Sequence, residues 1–153
     1  MRFLFRVTML VLGPALGSSP APAQQRGPVA VVAVAPFTVD RDSAGVLRTL
    51  GDTCLAHLVQ GLKAQRIQVE PHPKLSEKNL EVARPAHWAV LGHLTRDARH
   101  FQAELRLLDV TSGEELRSYF NADKNPAGIT KFGELAAPRI ARVIEEQKGS
   151  GPR

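Results

Sequence analysis

A chain of 153 residues with 20 Lys and Arg against 15 Asp and Glu has a net charge of +5 and is only mildly basic. One cysteine excludes an intrachain disulfide, and aromatic residues at 5% leave no run of cations interleaved with stacking rings of the kind a single-stranded nucleic acid needs. Nucleic acid is therefore not an expected partner, and the length calls for no second domain.

Arg2 and Arg6 precede an apolar run from Val7 to Leu16 and the small residues Ala21-Pro22-Ala23. These are the three zones of a cleavable signal peptide over residues 1–23, with cleavage expected after Ala23. Gly13, Pro14, Gly17 and Pro20 interrupt the run well short of the about 20 apolar residues that a spanning helix requires, so no transmembrane anchor is expected after cleavage. Cys54 lies far downstream, which leaves a lipid-modified N-terminus without its acceptor. The exported protein, 130 residues long, is expected in the periplasm and must rely on its core rather than on covalent staples.

Residues 24–28 form a polar leader. The nearly unbroken Val and Ala run from Val29 to Phe37 predicts a strand buried on both faces. Thr38 to Ala44 is polar, and Asp42 or Ser43 can cap the helix that follows, whose apolar stripe is Val46, Leu47, Leu50, Cys54, Leu58 and Leu62. Ile67 to Glu70 is a short second strand, Lys74 to Ala83 a short helix ending before Pro85, and Trp88 to Leu94 a third strand. Arg99 to Val110 alternates, with Phe101, Ala103, Leu105 and Leu107 on one side and Gln102, Glu104 and Arg106 on the other, as a half-solvated strand does. The short link 111–114 returns Glu115 to Phe120 as a hairpin partner, and Asn121 to Gly128 is a loop. A last helix carries Ile129, Phe132, Leu135, Ala136, Ile140, Val143 and Ile144, with a kink expected at Pro138. The polar tail 147–153 is expected to be disordered. The order βαβαβββα gives an α/β two-layer sandwich, a mixed sheet of about five strands with helices mainly on one face, in one domain spanning 29–146.

This order, together with Val34-Ala35-Pro36-Phe37 closing the first strand, Gly92 in the "VLGHL" strand and Leu108-Asp109-Val110-Thr111-Ser112-Gly113-Glu114 at the hairpin, resembles the TolB N-terminal-like domain and its relatives in the CsgG, FlgO/FlgT and LpoB groups. The likeness spans roughly residues 29–146 and implies a periplasmic or outer-membrane-associated module. The absence of a lipoprotein cysteine departs from the CsgG and LpoB pattern, and the chain is too short to hold the propeller of TolB.

The residues offer no evident chemistry. None of the histidine spacings among His57, His72, His87, His93 and His100 is that of a helical metal motif, although His87 and His93 share a strand face and His100 could lie across the turn. Cys54 has His57 three residues on, but its place in the apolar stripe between Leu50 and Leu58 favours a core role. No nucleophile-elbow or phosphate-loop motif is present, and no catalytic residue, metal site or cofactor is implied. Asp109 and Gly113 suit a turn, Gly92 a close backbone approach, and Pro36 and Phe37 the end of a strand.

The function these features favour is a non-enzymatic protein-interaction module of a cell-envelope assembly, working by surface complementarity or strand addition on an envelope protein. Arg99, Gln102, Glu104, Arg106, Arg117 and Tyr119 are the candidate partner surface, since a solvated sheet face or edge is a common docking site. The alternative is a small-ligand or envelope-stress sensor with its pocket at Thr38 to Ala44; an enzyme of unrecognised type comes last. Association with the outer membrane or with peptidoglycan is left open.

Overall fold

A computed structural model describes residues 29–41 and 45–150. The expected signal peptide, the polar leader and the helix caps Asp42 and Ser43 lie outside the described residues. The elements are β1 (Val31–Val34), β2 (Thr38–Val39), α1 (Val46–Ala64), β3 (Gln68–Pro71), a 3-10 segment (Glu77–Ala83), β4 (Trp88–Arg96), β5 (Phe101–Asp109), β6 (Glu115–Asp123), α2 (Pro126–Thr130) and α3 (Phe132–Gly149).

The six strands form one mixed, open sheet in the order β3-β1-β4-β5-β6, with β2 paired to β4. β1 is parallel to both β3 and β4, and β4, β5 and β6 make the antiparallel meander. β1 is apolar throughout because both its sides are covered. Val32 and Val34 face the large core under the helices, and Ala33 and Ala35 face a smaller core with Leu75, Leu80, Ala83, Ala89 and Leu108. α1 and α3 pack on the same face of the sheet, their stripes of Leu58, Leu62, Ile140 and Ile144 fully buried against Val90, Leu94, Leu105 and Leu107. Each such side chain contributes about 1.5–3 kcal/mol by leaving water. The smaller core is closed from the other face by the segment 75–86, so the second layer is partial.

Several expectations need correction. Thr38 and Val39 are a short strand, aligned with His93 and Leu94 of β4, because the chain resumes parallel pairing after Pro36 and Phe37 step out of line. Gly45, in the left-handed conformation at φ 71°, occupies the N-cap of α1, and its carbonyl accepts from the Thr49 amide at 3.2 Å. The segment before Pro85 is a 3-10 helix with a non-helical residue, Asn79, inside it. Asn79 ties back to the start of the segment: its side-chain oxygen accepts from the Ser76 amide at 2.7 Å, and its amide nitrogen donates to the Lys74 carbonyl. β6 runs to Asp123 rather than stopping at Phe120, since β5 offers it partners as far as Phe101. The break in the C-terminal helical region falls at Lys131, between α2 and α3, with Pro138 contained within α3. α3 continues to Gly149, so residues 147–149 are helical rather than part of a tail.

Candidate functional site

The sheet face away from α1 and α3 is where polar side chains gather. Along β4 and β5 the register sets Leu91 opposite Arg106, His93 opposite Glu104 and Thr95 opposite Gln102, and along β5 and β6 it sets Ser118 opposite Arg106 and Phe120 opposite Glu104. The segment 75–86 covers only one end of this face. Between its start and the sheet lies a cleft of about 310 Å³, lined among others by Pro36, Thr38, Glu77, His93, Glu104 and Arg106. Phe120 stands beyond the cleft on the same face, 65% exposed, an unusual position for a large aromatic side chain.

Arg106 is clamped from two sides. Its Nη1 donates to Glu77 Oε2 at 2.7 Å, its Nη2 to Glu77 Oε1 at 3.2 Å and its Nε to Glu115 Oε2 at 2.5 Å. The forked hydrogen bonds from Arg106 hold the Glu77 carboxyl below its ordinary range. Arg106 therefore ties the 3-10 segment to the sheet and forms one wall of the cleft, its charge already answered by two carboxylates.

At the other wall, the Thr38 hydroxyl lies 3.2 Å from the Gly92 carbonyl and 2.7 Å from His93 Nδ1, while His93 Nε2 is 3.5 Å from Asp40 Oδ1. A hydroxyl, an imidazole and a carboxylate thus stand in line. The hydroxyl has one proton and two acceptors within reach, the Gly92 carbonyl and the nearer His93 Nδ1, and the imidazole tautomer decides which receives it.

The sequence-predicted surface is divided by the sheet. Gln102, Glu104 and Arg106 share the open face, and Arg99 lies in the β4–β5 turn, where Asp97 Oδ1 accepts from its amide at 2.7 Å. Arg117 and Tyr119 lie on the opposite side. A bulge between Leu107 and Leu108 leaves Leu116 without a partner of its own and sets Arg117 opposite Leu107 and Tyr119 opposite Leu105, facing the helices. Tyr119 is buried, and its neighbour Phe120 takes the outward position. Continuing the in–out alternation of β5 through the hairpin would have identified Phe120 only if the bulge were known.

The remaining candidates have local roles. The aromatic ring of Phe37 lies over Gly92, where a Cβ would fall 2.6 Å from Cε1 of that ring. Pro36 lines the cleft. Asp109 Oδ1 accepts from the amides of Thr111 and Ser112 at 2.8 Å each, and Gly113, at φ 74°, closes the turn by donating to the Asp109 carbonyl. Cys54 is buried, its Sγ 3.6 Å from the Ile129 carbonyl, and burial pushes the thiol up to about 11. His57 turns away from it to Glu134 at 3.2 Å. Among the described residues no group of three or more His, Cys, Asp or Glu converges as a metal site, and no helix is long and apolar enough to cross a membrane.

No family model matches the chain, and no curated protein matches it in sequence. Solved structures do. The chain is similar to PelC from Paraburkholderia phytofirmans, described as a dodecamer, with a TM-score of 0.55 and 18% identity over 72% of this chain and 86% of that one. A variant of the same dodecamer gives 0.56 and 17% identity, over 74% of this chain and 90% of PelC. The fold is that of PelC. TolB from Acinetobacter baumannii is also similar, with a TM-score of 0.53 and 15% identity over 76% of this chain but only 28% of TolB. At these identities the likeness to PelC and TolB is one of fold.

Proposed function

We propose that this protein is a non-enzymatic interaction module of a cell-envelope assembly and that it engages an envelope protein through the open sheet face. The observation that carries the reading is the exposure of Phe120 beside a cleft on a sheet face left half covered, where a partner could bury an aromatic anchor within a polar surround. Gln102, Glu104 and His93 supply the polar rim, and Arg106 with its two carboxylates supplies a fixed wall. The signal-peptide pattern of residues 1–23 and the fold shared with PelC and part of TolB support an exported setting, and the dodecameric form of PelC is a precedent for this fold working in an assembly.

A photo-crosslinking side chain at position 120, in the exported protein inside cells, tests this directly. An adduct of one defined mass from position 120 and none from Thr49, exposed on α1, is the expected result. Equal yields from the two positions, or none from either, would overturn it. A second reading, a small-ligand sensor, is favoured by the cleft itself, whose volume lies at the lower end of ligand pockets. Thermal-shift screening separates the two, because a ligand specific to the folded form raises its apparent stability by mass action.

A further inference from the structure

On the open face of the sheet the charged groups and the imidazole have partners, with one exception. Arg106 is held by Glu77 and Glu115, and His93 stands between Thr38 and Asp40. Among the described residues Glu104 has neither a hydrogen bond nor an ion pair. It is half-buried in the middle of β5, directly opposite His93 on β4 and Phe120 on β6. Directly opposed residues of antiparallel strands carry their Cβ atoms about 4.5–5.5 Å apart. The carboxylate therefore joins the cleft, which it lines, to the exposed ring of Phe120.

The charge around it is negative. Glu77 and Glu104 line the cleft, Glu115 and Asp40 bond to residues that line it, and Arg106 is the one Lys or Arg among the lining residues. Four carboxylates thus face one guanidinium, on a chain whose net charge is +5. A negative patch on a positive protein attracts a cation there and nowhere else on that scale. Glu104 is also the group a cation would meet, since a half-buried carboxylate without a partner has lost part of its hydration and gained no hydrogen bond in return. A free metal ion would find in Glu104 one uncommitted ligand, short of the several it requires. The long side chain of a docking segment fits better: its methylene stem can lie along Pro36 and Leu91, which line the same cleft, with its charged head at Glu104.

We propose that the segment docking on the open face carries an arginine or lysine beside its apolar anchor, and that Glu104 selects it by pairing with that side chain. This rests on the reading of the open face as the working surface and names the chemistry of the partner. The anchor packs on Phe120, and the basic side chain enters the cleft next to it.

Titration of the exported protein with N-acetyl-phenylalanyl-arginine amide should shift the Glu104 and Phe120 amide signals saturably in nuclear magnetic resonance spectra. The citrulline counterpart keeps the shape without the charge and should bind about threefold to tenfold more weakly, the effect of losing a charge-assisted hydrogen bond. Glu104→Gln should bind the two dipeptides alike and keep the wild-type circular dichroism spectrum, because its side chain has no partner to lose. In cells, Glu104→Lys should lose the adduct formed from position 120, whereas Asp52→Lys, exposed on α1, should keep it.

Three results would overturn the basic side chain while the open-face reading stands: no saturable shift, equal affinity of the wild type for both dipeptides, or a full-yield adduct from Glu104→Lys. Absence of any adduct from position 120 in the otherwise unchanged chain overturns the open-face reading itself, and this inference falls with it.

Discussion

A methyl group at residue 92 would fall 2.6 Å from Cε1 of Phe37, inside any contact that a real side chain makes. Gly51 of α1 approaches the same residue: a Cβ there would stand 3.3 Å from the Phe37 Cβ. Alanine in a strand interior would ordinarily gain about 0.5–1 kcal/mol over glycine. Overpacking should exceed that gain, so Gly92→Ala is expected to lower stability by about 1–3 kcal/mol in urea unfolding. Phe37→Leu in the same chain should recover part of the loss, and additive losses in the double variant would show that the ring is not what glycine accommodates. Cys54 gives a second test at this scale. With its thiol pushed up to about 11 by burial, the unfolded chain releases the thiol proton before the folded one does. The stabilising contribution of the neutral thiol is present below the unfolded value of about 9 and is lost as pH rises towards 11. Relative to Cys54→Ala, the wild type should therefore lose stability over that window. At about pH 7 native Cys54 should label only as fast as the fold opens, and prompt labelling would contradict its burial.

Between elements, α1 and α3 approach at glycines. A Cβ on Gly133 would lie 2.8 Å from Leu58 Cα and 2.9 Å from its amide nitrogen, and one on Gly61 would lie 2.9 Å from Glu134 Cα. These obstacles are backbone, so no rotamer change relieves them. Helix propensity alone predicts that Gly133→Ala stabilises by about 1 kcal/mol. The contact predicts the opposite sign: the midpoint of thermal unfolding should fall by several degrees, as about 1 kcal/mol or more does in a domain of this size. Apart from Val46 and Leu135, which are exposed, the stripes of α1 and α3 were legible as apolar spacing because burial of one helix face is a local pattern, yet the same sequence presents Gly61 only as a weak helix former. β1 was legible because two covered faces leave no polar position in it. The extra strand at Thr38 was not, since two residues carry no period. The link from Arg106 to Glu77 joins residues 29 apart along the chain and leaves no mark in either one's neighbourhood. Of the candidate surface, Gln102, Glu104 and Arg106 followed from alternation, and Arg117 and Tyr119 did not, because the unpaired Leu116 reverses the parity of every residue after it.

Across the whole molecule that reversal decides which of two adjacent aromatics holds the fold together and which is offered to solvent. Tyr119 lies under α3 and is 9% exposed, whereas Phe120 is 65% exposed on the face that α1 and α3 leave uncovered. Truncating a buried aromatic removes its contacts and leaves a cavity, so Tyr119→Ala is expected to destabilise by about 3–5 kcal/mol. Phe120→Asp removes little of the protein's own packing and should change stability by no more than about 0.5 kcal/mol. If the open face is the working surface, the two variants separate in the other direction as well. Phe120→Asp should abolish capture of the crosslinked partner while leaving urea unfolding unchanged, because a carboxylate would have to be stripped of water where an aromatic ring would have anchored. A conservative change at the buried site, Tyr119→Phe, should preserve capture in full. Were Phe120→Asp to retain capture at wild-type yield, the exposed ring would be incidental and the partner would have to be sought on another face. Were it to lose stability along with capture, Phe120 would be packing against its own chain, and the open face would not be open in solution.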